Sequence, residues 1–380
     1  MRTLCLAPVV LGGCSSIFGL AAPQHLDDAN GPGDGAHDAH DALPGQDAMP
    51  DAAMCFGSGT YRVCLTALPS QSVALTGTVS TADTATCSTA AHWVAASQPD
   101  VCFIVGASIS ANNVTAVGTR PIVLVATGSI SFSGTFDVSS HRIGPVLGAG
   151  FRQTGCDPAT PAVLDVNGGG GGAGGTFGTI GGNGGTGRPG ATGAQAATVG
   201  TIDVLSGGCF GSAGARGGGA GNAGIPGPGG GALYAVAGTS IMLGSAVLAA
   251  NGGGAGNPTT RWGGPGGGSG GMIVLHAPVI TSSNAFLVAN GGGGAAGADA
   301  ATQSADPDLT RPLIPAAGGT SSNGGNGGTG YAAGNGATVG TNTPGGNTGG
   351  GGGGGGGAGY IRANVAIATA TASPPIDIVP

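Results

Sequence analysis

Between Gly169 and Gly193, glycine occupies every third position: 169, 172, 175, 178, 181, 184, 187, 190 and 193. A second stretch keeps the phase at 211, 214 and 217, slips by one, and resumes at 218, 221, 224, 227 and 230. A period of three belongs to the polyproline II conformation, which makes no hydrogen bonds within its own chain. Collagen shares the period but needs proline at 15–20% or more. These runs hold only Pro189, Pro226 and Pro228, which excludes a triple helix. Glycine loses more conformational freedom on ordering than any other residue, so an ordered run must be held by many bonds to its neighbours. The alternative is a flexible, solvated loop. The kept period favours order across 169–231. Thr348–Gly357, where period and side chains both vanish, reads as disordered.

The strand-like segments recur as well. PIVLVATGSISFSGTFDVSS (121–140), GALYAVAGTSIMLGSAVLAANGGG (231–254), GMIVLHAPVITSSNAFLVANGGG (271–293) and GYIRANVAIATATASPPIDI (359–378) can be laid over one another. VCFIVGASISANNVTAVGTR (101–120) fits the same frame. Each unit is an apolar strand, a small-residue break and further short strands, at about twenty residues per unit, a period that signals a solenoid. The expected fold is therefore all-β: a right-handed parallel β-helix with long glycine-rich, polyproline-II-like insertions. Ala232–Ala250 is uncharged and long enough to span a membrane. Its Gly and Ser breaks fall where those of the sister units fall, which argues for strands. Trp93 is expected to close the first coil, and Trp262 and Tyr331 to anchor their glycine blocks to the body.

The chain divides into four regions: a signal segment 1–14, a tether 15–54, an N-terminal β cap with the first coils 55–145, and a glycine-rich body 146–380. The N-terminus carries Arg2, an apolar run from Leu4 to Leu11, and then Gly12-Gly13-Cys14, the layout of an export signal. Leu11–Cys14 resembles the lipobox of bacterial lipoproteins. That resemblance implies lipidation of Cys14 and, with Ser15 and Ser16 next in the chain, the outer membrane. Pro23–Ala53 is rich in Asp and Ala and poor in large apolar residues, so it cannot offset its ordering entropy. His37-Asp38-Ala39-His40-Asp41 within it reads as hydrated tether, not as a metal site. Beyond the signal stand six cysteines: Cys55, Cys64, Cys87, Cys102, Cys156 and Cys209. An even number in an exported chain suggests disulfides. Fifteen pairings are possible, and pairing of sequence neighbours is expected. Taken whole, the chain resembles glycine-rich exported lipoproteins of the myxobacterial type. It shares glycine blocks with mycobacterial PE-PGRS proteins but lacks their helical PE module.

Chemical motifs are scarce. There is no Lys and no Glu, charged residues make up 7% of the chain, and the net charge is −7. These facts exclude coiled coils, a nucleic-acid footprint and any phosphate loop, which needs Lys. The glycine blocks lack in-phase Asp for a calcium β-roll, no GxSxG elbow accompanies His92, His141 or His276, and no cofactor or metal site is expected. The best catalytic candidates are Asp137, Asp165 and Asp203 with Arg120, Arg142 or Arg152. Sequence cannot bring them together. The expected role is a lipid-anchored structural or adhesive protein of the cell surface. It would meet extracellular polysaccharide or envelope proteins through main-chain amides and small side chains. The rival is a polysaccharide lyase or hydrolase; a regular Thr/Gly face that organises water ranks below both.

Overall fold

The computed structural model describes residues 54–379 apart from 143–145, 153–155, 157–158, 189, 201, 220, 298–301 and 346–347. Cys14, the tether and its His/Asp cluster lie outside the described residues.

The recurring units pair side by side in parallel. Cys102–Gly106, Ile122–Ala126, Ala232–Ala237, Met272–His276, Tyr360–Ala363 and Asp377–Ile378 form one six-stranded sheet. Its register aligns Ile122, Leu233, Ile273 and Ile361 in a single column. A second, eight-stranded sheet holds Val73–Ser80, Ile109–Val117, Ser129–Asp137, Ser240–Met242, Val247–Ala249, Val279–Thr281, Phe286–Val288 and Thr371–Ser373. There Ile109, Ile130, Ile241 and Ile280 align.

Burial explains the two kinds of strand sequence. One face of the six-stranded sheet packs Leu124, Leu233 and Leu275 against Ile130, Phe136 and Leu248 of the eight-stranded sheet. Its other face packs Phe103, Val123, Tyr234 and Met272 against Tyr61, Leu65 and Phe177. A parallel strand covered on both faces reads as an unbroken apolar run, as IVLVA and ALYAVA do. The eight-stranded sheet has one solvated face, and SISFSGTFD alternates accordingly.

The expected β-helix is not formed. Both parallel sheets are open, with free end strands, and neither curls into a closed coil. The physical reason lies in the segments that leave each unit. The described residues of 138–231, 250–271 and 289–359 depart from the sheets, and their glycine runs bond to one another instead of turning back as a third wall. The N-terminal segment also covers a face and does not cap an end. Met54–Phe56, Val63–Leu65 and Ala91–Trp93 form a small antiparallel sheet. From it Trp93 stacks on Tyr234 at 5.8 Å and meets Phe103 at 5.6 Å. The disulfides are Cys55–Cys64, Cys87–Cys102 and Cys156–Cys209, each joining neighbours in the cysteine order.

The glycine runs are ordered, and most so where disorder was expected. Every N–H from Gly351 to Gly357 donates to a carbonyl of one of three neighbouring runs, 169–175, 292–295 and 338–341. Every carbonyl from Gly350 to Gly357 accepts from one of three others, 182–185, 264–270 and 325–331. The partners advance by three: Gly351, Gly354 and Gly357 donate to Gly169, Gly172 and Gly175, each at 2.9 Å. This run is the axis of the bundle, with six neighbours. A Cβ on Gly353, Gly354 or Gly355 would strike the backbone of Pro265, Gly182 or Thr329 respectively, so three successive residues face three different walls.

Composition tracks the number of covered faces. The axial run 349–357 is glycine throughout. The flanking run GGNGGTG (181–187) has two glycines in three, with Asn183 exposed and Thr186 half-buried at the third place. The outer run TVGTNT (338–343) keeps only Gly340, which a Cβ would drive into Gly352. At this rim, side-chain oxygens replace missing carbonyl partners. Asn326 N donates to Thr341 Oγ1 at 2.6 Å, Thr329 N to Thr338 Oγ1 at 2.7 Å, Thr186 N to Asn342 Oδ1 at 2.8 Å, and Ala196 N to Asn183 Oδ1 at 2.8 Å.

Candidate functional site

The strands deliver their ends to the bundle through a buried polar column. Asn251 N donates to Ser139 Oγ at 2.9 Å, Asn290 N donates to Asn251 Oδ1 at 2.8 Å, and Ser373 Oγ donates to Asn290 Oδ1. All four residues are buried. The sequence signal for the middle pair is the repeated AANGGG and VANGGG of the sister units, where each Asn stands at the same place.

Beside this column lies a cluster of charged side chains. Asp137, at the end of its strand and buried, accepts from Ser139 N at 2.8 Å. His141 Nε2 sits 3.2 Å from Asp137 Oδ2, and its Nδ1 sits 3.7 Å from Asp306 Oδ2. Asp306 also accepts from Arg142 N at 3.0 Å and Gly254 N at 2.7 Å. Hydrogen bonds from the imidazole to Asp137 and Asp306 outweigh burial and push the His141 pKa up to about 10. Asp306 is held below the usual carboxylate range: burial opposes ionisation, but the bonds from His141, Gly254 and Arg142 prevail. His141 therefore carries its proton at neutral pH and staples two distant segments together. Sequence reasoning missed Asp306 because it lies in a stretch with no strand or glycine period to place it.

A groove of about 680 Å3 opens on this cluster. His141 and Arg142 line it, with Asn222, Gln303, Ile225 and Pro226. Asp137 and Asp306 are not on its lining. Arg142 Nη1 donates to Gln303 Oε1, while its Nε is buried without a hydrogen-bond partner.

The other sequence candidates lie elsewhere. Asp165 Oδ1 accepts from Asn167 N at 2.7 Å, shaping the turn into run 168–175. Arg120 donates to Thr81 O at 2.7 Å and approaches Asp100 at 4.0 Å. Arg152 bridges to Cys209. Asp203 is exposed and lines a separate cavity with Tyr61, His276 and Arg362. There Arg362 Nη1 donates to Tyr61 Oη at 3.2 Å and to Ile202 O at 3.0 Å. Burial lowers the His276 pKa. Of the six candidates, Asp137 and Arg142 share a neighbourhood, joined through His141 and Asp306, and Asp203 and Arg152 line a second cavity together. Among the described residues no group of three or more metal-ligating side chains is assembled.

No family model, curated protein or solved structure matches the chain. Three disulfides are compatible with an extracellular protein, and among the described residues no helix is long and apolar enough to cross a membrane.

Proposed function

We propose that this is a lipid-anchored protein of the outer cell surface with a structural or adhesive role. The observation that carries the reading is the exhaustion of backbone hydrogen bonding along the axial run 351–357 of the glycine bundle. Runs that bond only to one another make a stiff body with a nearly uncharged rim of Thr and Asn. Such a body supports mechanical display better than chemistry. The axial amides are spent on neighbouring runs, which favours contact through the side chains of the rim. The lipobox-like Leu11–Cys14 supports an anchor, with extracellular polysaccharide or envelope proteins as partners.

Two measurements test this. Cells fed labelled palmitate should label the wild-type protein and place it in the outer envelope, whereas Cys14→Ser should be unlabelled and released; an unlabelled wild type overturns the anchor. The oxidised protein, incubated with neutral and acidic polysaccharides, should be retained without producing new chain ends. Cleavage would overturn the non-catalytic role and direct attention to Asp137 and Asp306.

A further inference from the structure

The proposed surface role leaves open what the protein would hold. We infer that the groove beside His141 and Arg142 binds a carboxylate-bearing polysaccharide, with acidic sugar residues against the two cations. The inference rests on the adhesive reading and narrows it to one site and one ligand class.

Charge is the first support. The chain is acidic overall, at −7, yet this groove is lined by two cationic side chains and no carboxylate. The anions that balance His141 stand behind it: the Asp137 side chain is 8% exposed and that of Asp306 22%. The negative members of the ion cluster thus face inward, and its cations face the groove. Arg142 lines the groove, and of its guanidinium donors Nη1 is held by Gln303 Oε1. A carboxylate is the group that a guanidinium fork matches best.

The rest of the lining selects a sugar over a peptide. An acidic peptide docking by its main chain needs free amides and carbonyls, and several of the groove's amides are engaged. Arg142 N and Gly254 N go to Asp306, Gly256 N goes to Ile225 O, and Thr259 N goes to Asn222 O. What remains are side chains: amide groups on Asn222 and Gln303, suited to hydroxyls, and an apolar wall of Pro226 and Ile225. Ile225 is 74% exposed, a large apolar surface continued by Phe210, Pro226 and Pro228 on the groove lining. A pyranose presents that combination, with C–H faces for the apolar wall, hydroxyls for the amides and a uronate carboxylate for the cations.

The test uses the full-length oxidised protein and immobilised polygalacturonate, dextran and polyglutamate. Wild type should be retained on polygalacturonate at least about tenfold more strongly than on dextran or polyglutamate. Arg142→Met and Ile225→Asp should each weaken that retention by about tenfold or more, the scale of one charge-assisted contact. Arg62→Met, an exposed cation outside the groove, should leave it unchanged. Both groove variants alter exposed or groove-facing groups, and unchanged melting temperatures would confirm folding. Equal retention on dextran, or groove variants that bind like wild type, would overturn the site while leaving a general adhesin standing. Stronger retention on polyglutamate would replace the sugar by an acidic peptide. Retention on none of the three would count against both the site and the adhesive reading.

Discussion

The two parallel sheets and the glycine bundle are continuous in chain but are held by different forces. In the sheets, columns such as Ile122–Leu233–Ile273–Ile361 bury side chains, and each buried aliphatic contributes about 1.5–3 kcal/mol. Along the bundle's axial run nothing is buried except backbone, and cohesion comes from a dense lattice of N–H···O bonds, each worth about 0.5–1.5 kcal/mol net. Packing by side chains tolerates exchange of one shape for a similar one. Packing by backbone tolerates no side chain at all. The difference teaches that glycine content in such a chain measures crowding: three glycines per period on the axis, two beside it, and one in two periods at the rim.

The comparison can be broken most directly at the axis. Gly354→Val would place a branched side chain inside the backbone of Gly182, where all six surrounding runs are fixed. The expected outcome is loss of more than about 3 kcal/mol, beyond the usual range for overpacking, read as a collapse of the thermal transition or of soluble yield. Opening Cys156–Cys209, which spans 53 residues, should cost about 3–4 kcal/mol by loop entropy; Cys156→Ser/Cys209→Ser in denaturant titration checks it. In the sheets, Leu275→Ala should cost about 2–5 kcal/mol yet leave a folded protein, unlike the axial glycine.

Smaller effects sharpen the picture at the junction and rim. Asn251→Ala removes the acceptor for the buried Asn290 N–H and should cost about 1–3 kcal/mol. The His141 staple faces Asp137 and Asp306, with Arg142 next to it in the chain. Its folded pKa, about 10, lies above the unfolded value of 6.5. Its stabilisation is therefore full below pH 6.5 and is lost as pH rises through 10. Asp306, with a depressed pKa, loses its contribution only as pH falls through that lowered value. His141→Gln should lower stability by about 1.5–3 kcal/mol at pH 6, and the gap to wild type should close by pH 11. Gly336→Ala, where an added Cβ meets nothing, should be neutral or stabilising by up to about 1 kcal/mol.

Much of the sheet was legible. The overlaid units 121–140, 231–254, 271–293 and 359–378 pair in parallel with their apolar residues in common columns, because period-two burial leaves a direct trace in the sequence. Closure into a coil was not legible, since it depends on where the glycine runs go, and strand pattern carries no information on that. The run Gly349–Gly357 defied its sequence for a physical reason: a segment without side chains looks the same whether no neighbour needs them excluded or six do. Only the graded composition of the other runs, GGNGGTG and TVGTNT, hints at which applies. At the candidate site, Asp137 and Arg142 were named from sequence. Asp306 enters from a segment far along the chain, and the groove's apolar wall is made by Ile225 and Pro226, which look like loop residues in sequence.

The most direct measurement is amide hydrogen exchange across Gly351–Gly357 in the oxidised protein. If this run is the axis of the lattice, its amides should exchange as slowly as those of Ala232–Ala237 and Met272–His276, through global unfolding alone. Exchange of these glycines at the rate of free peptide, with the strands still protected, would contradict the account.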